Sequence, residues 1–528
     1  MSNPFRHTLS PQAPVTQPAR LEQVENNTGG FVFALDVWKR LERFLILGTD
    51  GGTYYATEAK LTLDNLKVVE ECLRLDGPRA VRVIADISTA GRAPRNSAAI
   101  FALVMALKRG DDATRAQAAQ ALPAVCRTGT HILEAASYVK LLGGWGRQTR
   151  RAFADWYTGK GSKELVYQLL KYQQREGWAQ RDVLRLAHPD PKSLSAAHQS
   201  ALRWAVKGTL DEAIPNELWQ LTGFEHAKRA ESPAQTAKLI RDHQLPRECV
   251  KSEHLTSPEV WEALLYTGMP LHALMRNLPT MTRVGLLAPL NGHVNEIRRR
   301  FADLVALRRS RLHPMNILMA LTTYRAGKSL KGSHTWTAVP EICTILDDAF
   351  YAAFGNVEST GKRIMMALDV SGSMGVQCAG LGISAREASA AMAMVTMARE
   401  PRHYIVGFEN RLTPLDINPK MRLPDVVNYM ERRPFGSTDC SLPFEYARQH
   451  QMEVDAFIVF TDSETNTGIH PFAALQRYRK EMGIPAKLIV NGMTSTGFTI
   501  AKPDDPGMLD LVGLDSNMPA LISDFIRN

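Results

Sequence analysis

Through the first two thirds of the chain, apolar residues recur three and four positions apart. The spacing is clear in Val68–Leu75, Ala98–Leu107, Ala116–Val125, Glu164–Tyr172, Val260–Leu265 and Ala302–Leu307. That period puts the apolar side chains on one face of a helix. Short polar turns, several with Gly or Pro, separate these segments. Asp36 to Leu47 carries the same spacing in Val37, Leu41, Phe44 and Leu45, and Thr49-Asp50-Gly51-Gly52-Thr53-Tyr54-Tyr55 reads as a turn. No strand alternation stands out before about residue 350. Helix, turn, helix in tandem over so long a stretch predicts an α-solenoid of the HEAT or armadillo kind. No sequence period is clean enough to prove it.

The pattern changes near Thr360-Gly361-Lys362. Strand and helix signals then alternate: Arg363–Val370 and Ala385–Met397, Tyr404–Phe408 and Asp425–Glu431, Val454–Thr461 and Phe472–Lys480. Lys487–Val490 and a final helix near Leu521–Ile526 follow. Such alternation implies a parallel sheet covered by helices. The expected fold is therefore multidomain, α followed by α/β. Residues 29–357 form the helical repeat domain and 358–528 the α/β domain. Residues 1–28, with Pro11, Pro14 and Pro18 among Ser, Gln, Thr and Asn, read as a mobile tail.

The α/β part carries a cluster of oxygen ligands. Asp369-Val370-Ser371-Gly372-Ser373 follows the apolar run Ile364–Leu368. A strand delivering one carboxylate and two alternating hydroxyls to a turn suits a hard cation such as Mg2+, which prefers oxygens in octahedral geometry. Thr438, in a glycine-containing loop, and Asp462, at the end of the run Phe457–Thr461, complete the set. Ligands of open parallel sheets bind outside the carboxyl ends of the strands, where Asp369 and Asp462 fall. The pattern D-x-S-x-S, a distant T and a later strand-end D resembles the metal-ion-dependent adhesion site of von Willebrand factor A domains. The alternative is a set of plain turn formers. A serine-hydrolase elbow needs G-x-S-x-G, and the residues around Ser373 are out of that register.

In the helical part, Glu164 to Asp190 is the most informative segment. Leu165, Val166, Leu169, Leu170 and Tyr172 make an apolar stripe, and Gln168, Lys171 and Arg175 share the opposite face at i, i+3 and i+7. Gly177 can stop this helix. A second helix carries Arg181, Arg185 and, at its end, His188 before Pro189 and Pro191. Two short helices would present a cationic cluster suited to a phosphate backbone. The same residues also fit a solvated face with ion pairs to Glu164, Glu176 and Asp182. Trp145-Gly146-Arg147-Gln148-Thr149-Arg150-Arg151 and the run Arg298-Arg299-Arg300 with Arg308, Arg309 and Arg311 fit single-stranded RNA or a solubilising helix face.

Composition sharpens this picture at a few points. The 528 residues are 45% hydrophobic and 22% charged, as in folded soluble proteins. No run reaches the roughly 18 apolar residues of a membrane helix, and no signal-peptide core follows Met1. Six scattered cysteines without C-x-x-C read as buried thiols of a reducing cytoplasm. The net charge is +9, unevenly spread: from Glu358 onward there are 17 Lys+Arg and 20 Asp+Glu, so residues 1–357 carry +12. A basic large domain beside a near-neutral small one points to a polyanionic partner.

Taken together, the motifs resemble the Ro autoantigen (TROVE-domain) RNA-binding proteins in bacterial form. The carriers include Gly51-Gly52-Thr53-Tyr54-Tyr55, Ala154-Asp155-Trp156-Tyr157 and Lys171-Tyr172-Gln173-Gln174-Arg175 with Gly177-Trp178. They continue in Leu184-Arg185-Leu186-Ala187-His188, Leu274-Met275-Arg276-Asn277-Leu278 and Thr360-Gly361-Lys362-Arg363. Gly436-Ser437-Thr438-Asp439-Cys440-Ser441-Leu442-Pro443 and Pro485-Ala486-Lys487-Leu488-Ile489-Val490 complete them. The resemblance implies a ring of HEAT-like repeats closed by the von Willebrand factor A domain. It implies Y RNA on the outer face, at the matching positions Lys171, Arg175 and His188, and single-stranded 3′ ends of misfolded RNA in a central hole. It also implies work beside an exoribonuclease in RNA quality control, processing and decay. Gly372 stands where animal members tend to have alanine, which loosens the loop but removes no ligand. The expectation is a cytoplasmic, monomeric ring that binds noncoding RNA, holds a divalent cation and is not an enzyme. The alternative is a protein-interaction scaffold whose metal site recognises an acidic side chain. A two-metal nuclease is disfavoured by the three hydroxyl ligands.

Overall fold

The computed structural model describes residues 23–25, 31–33, 37–47, 53–55, 66–90, 96–192, 194–329, 333–378, 383–432, 438–461, 469–493, 500–501, 505–512 and 518–527. Within the stretch expected to be a tail, Gln23–Glu25 (β1) pairs antiparallel with Phe31–Phe33 (β2); the rest of 1–28 lies outside the described residues.

From Leu66 to Asn356 the described chain is almost wholly helical. Helices near in sequence pack on one another, some consecutive, as Pro233–His243 with Pro258–Tyr266, and some alternate, as Ser97–Arg109 with Gly129–Leu141. Polar caps set many of the starts. Asp111, Thr128, Ser195, Ser232 and Asp303 each accept a backbone N–H of the first turn, supplying acceptors the helix itself lacks. Within Leu66–Ala90 the helix breaks at Asp76 (φ −158°), whose carboxylate accepts Arg79 N at 2.9 Å and starts a new helix with Pro78 in its first turn.

The α/β part is built on a seven-stranded sheet. Its strands are Thr53–Tyr55 (β3), Ile364–Asp369 (β6), His403–Phe408 (β7), Leu412–Pro414 (β8), Ala456–Thr461 (β9), Lys487–Gly492 (β10) and Met508–Val512 (β11); Gln174–Arg175 (β4) and Trp178–Ala179 (β5) form a separate hairpin. The order is β3-β11-β10-β9-β6-β7-β8, parallel except for β7 with β8. β6 and β9 are buried throughout, as strands covered on both faces must be. Their alternate residues serve two cores. Ile364, Met366 and Leu368 are continuous with the core of the helical part. Met365 and Ala367 pack with Phe444, Leu475 and Tyr478 of the helices Leu442–Gln449 and Pro471–Met482.

The two parts are joined at both ends of the solenoid. At its far end Arg399 donates Nε to Val357 O at 2.6 Å. Arg422 pairs with Asp347 and Asp348 of the last long helix. At the near end Thr53–Tyr55 adds in parallel to β11, with Leu511 opposite Tyr54. The segment read as a turn thus contains an edge strand. This pairing returns the start of the chain to the last domain and gives the architecture its ring.

Candidate nucleic-acid interface and cation site

The cationic segment differs from the simple helix pair in its first half. The helix Ser162–Lys171 ends at Lys171, and Gly177 does not stop it. The chain then turns through the β4–β5 hairpin, with Glu176 (φ 49°) and Gly177 (φ 74°) at the bend. Two adjacent left-handed residues are what a tight two-residue hairpin demands. Arg175 therefore stands on the hairpin, exposed, rather than on the helix. Gln168 is not on a polar face either: it is buried, and its Oε1 accepts Gly129 N at 2.8 Å.

That buried amide is one of several groups that fix the hairpin. Gln180, also buried, accepts Tyr157 Oη at 2.6 Å and donates Nε2 to Tyr172 O at 2.8 Å. Trp178 lies 6.0 Å from Trp145, which also meets Phe153 edge-on at 4.8 Å. Trp145 is thus engaged in packing and is no open stacking platform, while Arg147, Arg150 and Arg151 beside it are exposed. Buried polar anchors of this kind, fully satisfied, specify one geometry.

On this frame stand the five expected residues. Lys171 donates Nζ to Tyr167 Oη at 2.8 Å and lies over the Tyr167 and Tyr172 rings, at 5.1 and 5.7 Å from their centroids. Burial works to lower its pKa, but the Tyr167 hydrogen bond and the charge of Glu248 outweigh that and leave it raised. Lys171 therefore keeps its proton. Arg181 and Arg185 lie one turn apart on Gln180–Ala187, both exposed. His188 caps that helix with a left-handed backbone (φ 48°) and is exposed. The acids that would neutralise the patch are otherwise occupied in two of three cases. Glu164 pairs with Lys160, and Asp182 accepts Ala179 N at 3.0 Å. Glu176 does pair with Arg175, at 3.1 Å. The run 298–311 is divided: Arg299 pairs with Glu296, half-buried Arg300 donates to Met269 O, and Arg298, Arg308, Arg309 and Arg311 are exposed.

Asp369 closes β6, fully buried at the boundary with β9 where the strand order reverses. Its Oδ1 accepts Ser371 N at 2.9 Å and its Oδ2 accepts Thr461 Oγ1 at 2.9 Å. Ser371 is buried, and its carbonyl accepts Arg386 Nη2 at 3.1 Å. Asp439 N donates to Glu409 O, just past β7, and Cys440 Sγ lies 3.9 Å from Thr461 Oγ1. These contacts tie the loop that follows buried Thr438 to the ends of β7 and β9. Glu409 adds an enclosed carboxylate oxygen, Oε2, with no hydrogen-bond partner among the described residues. Hard oxygens and buried negative charge fit a divalent cation. Ser373 falls in the turn Gly372–Gly375, while its side chain and all of Asp462 lie outside the described residues. Sequence reading missed Thr461 and Glu409, since a strand threonine and a lone loop glutamate carry no motif.

The fold and sites define a protein with a TROVE domain, matched over residues 24–238 and 230–324, and a Ro60 vWA domain, matched over 363–526. The chain is 38% identical to the RNA-binding protein RO60 of Deinococcus radiodurans, over all of this chain and 99% of that one. It is 36% identical to the RNA-binding protein RO60 of Caenorhabditis elegans, over 96% of this chain and 90% of that one. The crystal structure of the Deinococcus radiodurans RO (RSR) protein superposes with a TM-score of 0.86 at 39% identity, covering 93% of this chain and 99% of that one. The chain belongs to the RO60 family.

Proposed function

We propose that this protein binds noncoding RNA and presents it for processing or decay without cleaving it. The observation that supports the reading is the hairpin and helix on which Arg175, Arg181 and Arg185 stand exposed, with Arg181 and Arg185 in no ion pair among the described residues. Exposed guanidinium groups at fixed spacing suit phosphates, and A-form RNA is read largely through shape and backbone. The names of the two relatives support RNA as the partner.

In this reading a Y RNA lies on the outer surface at that patch. A single-stranded 3′ end of a misfolded RNA enters the centre of the ring, and an exoribonuclease receives it. The protein acts as a cytoplasmic monomer. Asp369, Ser371, Ser373, Thr438 and Asp462 would hold Mg2+ or another divalent cation, which supplies a Lewis-acid position for a partner's carboxylate. This chain's own residues orient that site: Thr461 and the Ser371 amide fix the Asp369 carboxylate, and Arg386 fixes the Ser371 carbonyl.

The test is crosslinking and RNA sequencing on protein purified from its native cells at moderate salt. One abundant small structured RNA together with many fragment 3′ ends supports two RNA sites. Background RNA beside a stoichiometric protein partner overturns the reading in favour of a protein scaffold.

A further inference from the structure

The cation site has a neighbour on a third strand. β7 ends at Phe408, in register with Asp369 at the end of β6, and Glu409 is the next residue. Glu409 O accepts Asp439 N at 2.9 Å, and Cys440 Sγ lies 3.9 Å from Thr461 Oγ1. β7 and β9 flank β6, so the loop that follows Thr438 crosses the end of β6 from one neighbour to the other. Glu409 therefore stands at the carboxyl ends of the strands, where open parallel sheets bind ligands. Its carboxylate oxygen Oε2 is enclosed and has no hydrogen-bond partner among the described residues.

An enclosed carboxylate oxygen without a donor has lost its water and gained nothing in exchange. The polar groups of this region are engaged with one another. Asp369 Oδ1 accepts Ser371 N and its Oδ2 accepts Thr461 Oγ1, both at 2.9 Å. Asp439 Oδ1 accepts Ser441 N at 2.9 Å and Ser441 Oγ at 2.6 Å. The buried guanidinium of Arg386 donates to Ser371 O at 3.1 Å and to Glu431 at 3.3 Å.

A bound cation would bring donors. A serine or threonine hydroxyl that gives a lone pair to an ion keeps its proton, which then needs an acceptor. Mg2+ also retains several waters, each with two protons. As ligands, Ser371, Ser373 and Thr438 would each bring a hydroxyl proton into the site besides those of the waters, and Glu409 Oε2 is an acceptor in waiting. We propose that Glu409 is a positioning residue of the cation site: its Oε2 accepts a hydrogen bond from a hydroxyl or a water held by the ion, and its charge strengthens the grip on a divalent cation. The proposal rests on the cation reading above and adds a carboxylate at the end of β7 to those at the ends of β6 and β9. Acids that hold a metal's ligands from outside in this way fix their orientation and raise their basicity.

The test is calorimetric titration of the full chain with MgCl2 after chelation and dialysis. Glu409→Gln keeps the shape of the side chain and removes its charge. It is expected to bind Mg2+ about ten- to a hundredfold more weakly than the wild type. In EDTA it should melt at or above the wild-type temperature, because the enclosed charge is gone. A residue that only shaped the loop would do the reverse: lower melting without metal and unchanged Mg2+ affinity, a result that overturns the proposal. Glu453→Gln is the control for net charge, since Glu453 pairs with Arg363 at the opposite end of the sheet; an equal loss of affinity there overturns a local role. Should Glu409→Gln misfold, Glu409→Asp decides. It keeps the charge and withdraws the oxygen, so weakened binding supports the proposal and full affinity overturns it. Wild-type binding that the Glu409 variants share overturns the role of Glu409 alone. A wild type that binds no Mg2+ overturns the cation reading and that role together.

Discussion

The cationic hairpin makes a quantitative prediction about salt. Counterion release gives a slope of log affinity against log salt of about −0.9 per phosphate neutralised on a duplex and about −0.7 on a single strand. Lys171 is held protonated, and Arg181 and Arg185 are exposed without an ion pair among the described residues. Replacing all three with alanine should flatten the slope by about 2 to 3. Between roughly 50 and 200 mM salt each contact accounts for about half a decade, so the variant's deficit should shrink by about 1.5 decades over that range. Arg175 is predicted to differ, because Glu176 lies 3.1 Å from it and competes with phosphate. Arg175→Ala should flatten the slope by less than one contact, and Glu176→Gln should steepen it and tighten binding. Arg299→Ala serves as the control, since Arg299 is engaged by Glu296 at 2.7 Å. Fluorescence anisotropy with a structured RNA across a KCl series reads all of these. A triple variant with the wild-type slope would refute the assignment of this patch, whatever its affinity.

Mg2+ at about a hundred times its dissociation constant should add about 2.7 kcal/mol to stability and raise the melting temperature, and Asp369→Asn should abolish the increase; a cation response that survives the substitution would rule out this site. His313 Nδ1 accepts Met315 N at 3.2 Å at a helix start, and burial lowers its pKa to about 4. Its folded pKa lies below the unfolded value near 6.5. The contribution is therefore complete above about pH 6.5 and is lost as pH falls toward 4, reaching a loss of about 2 kcal/mol by pH 5. His313→Asn keeps a capping acceptor and should remove this dependence, so parallel pH–stability profiles for the two proteins would contradict the reasoning. Gly223→Ala is expected to destabilise despite its helical position: an added Cβ would stand 2.2 Å from His243 Cγ, and the overpacking cost of about 1–3 kcal/mol exceeds the gain in helix propensity of about 1 kcal/mol. An unchanged or higher melting temperature would show that the His243 ring moves aside freely. Tyr54→Pro removes a backbone donor in the parallel pairing with β11 and should lower the midpoint of denaturant unfolding; an unchanged midpoint would mean that this strand adds nothing to closure.

What the sequence reveals about this protein follows the range of the forces involved. The solenoid helices are legible because each buries a stripe set by its own local period, and caps such as Asp111 and Ser195 mark their starts. The strands β6 and β9 are legible for a related reason: buried on both faces, they must be apolar throughout. Thr53–Tyr55 is hidden because nothing local makes it a strand. Its partner is β11, more than 450 residues away, and the Gly-Gly before it is ordinary turn chemistry. The hairpin at Arg175 is misread for a subtler reason. Leu165 to Tyr172 has a helical period that continues arithmetically to Arg175, yet Tyr172 O is claimed by Gln180 Nε2 and the chain turns at Glu176-Gly177.

The site residues divide along the same line. Asp369, Ser371 and Thr438 stand out in the sequence because the oxygens that a cation would need fall at strand ends and in loops beside them. Thr461 and Glu409 cannot, because their part depends on which strands are neighbours. The same holds for the cationic patch. Lys171, Arg181 and Arg185 are visible as charges, but whether a charge is available to RNA depends on where each nearby acid is used. Glu164 is held by Lys160 and Asp182 by the Ala179 amide, while Glu176 turns back on Arg175 and the charge of Glu248 acts on Lys171. The tertiary fold thus shapes the patch by deciding which nearby acids are engaged elsewhere, Glu164 and Asp182, and which act on its cations, Glu176 and Glu248.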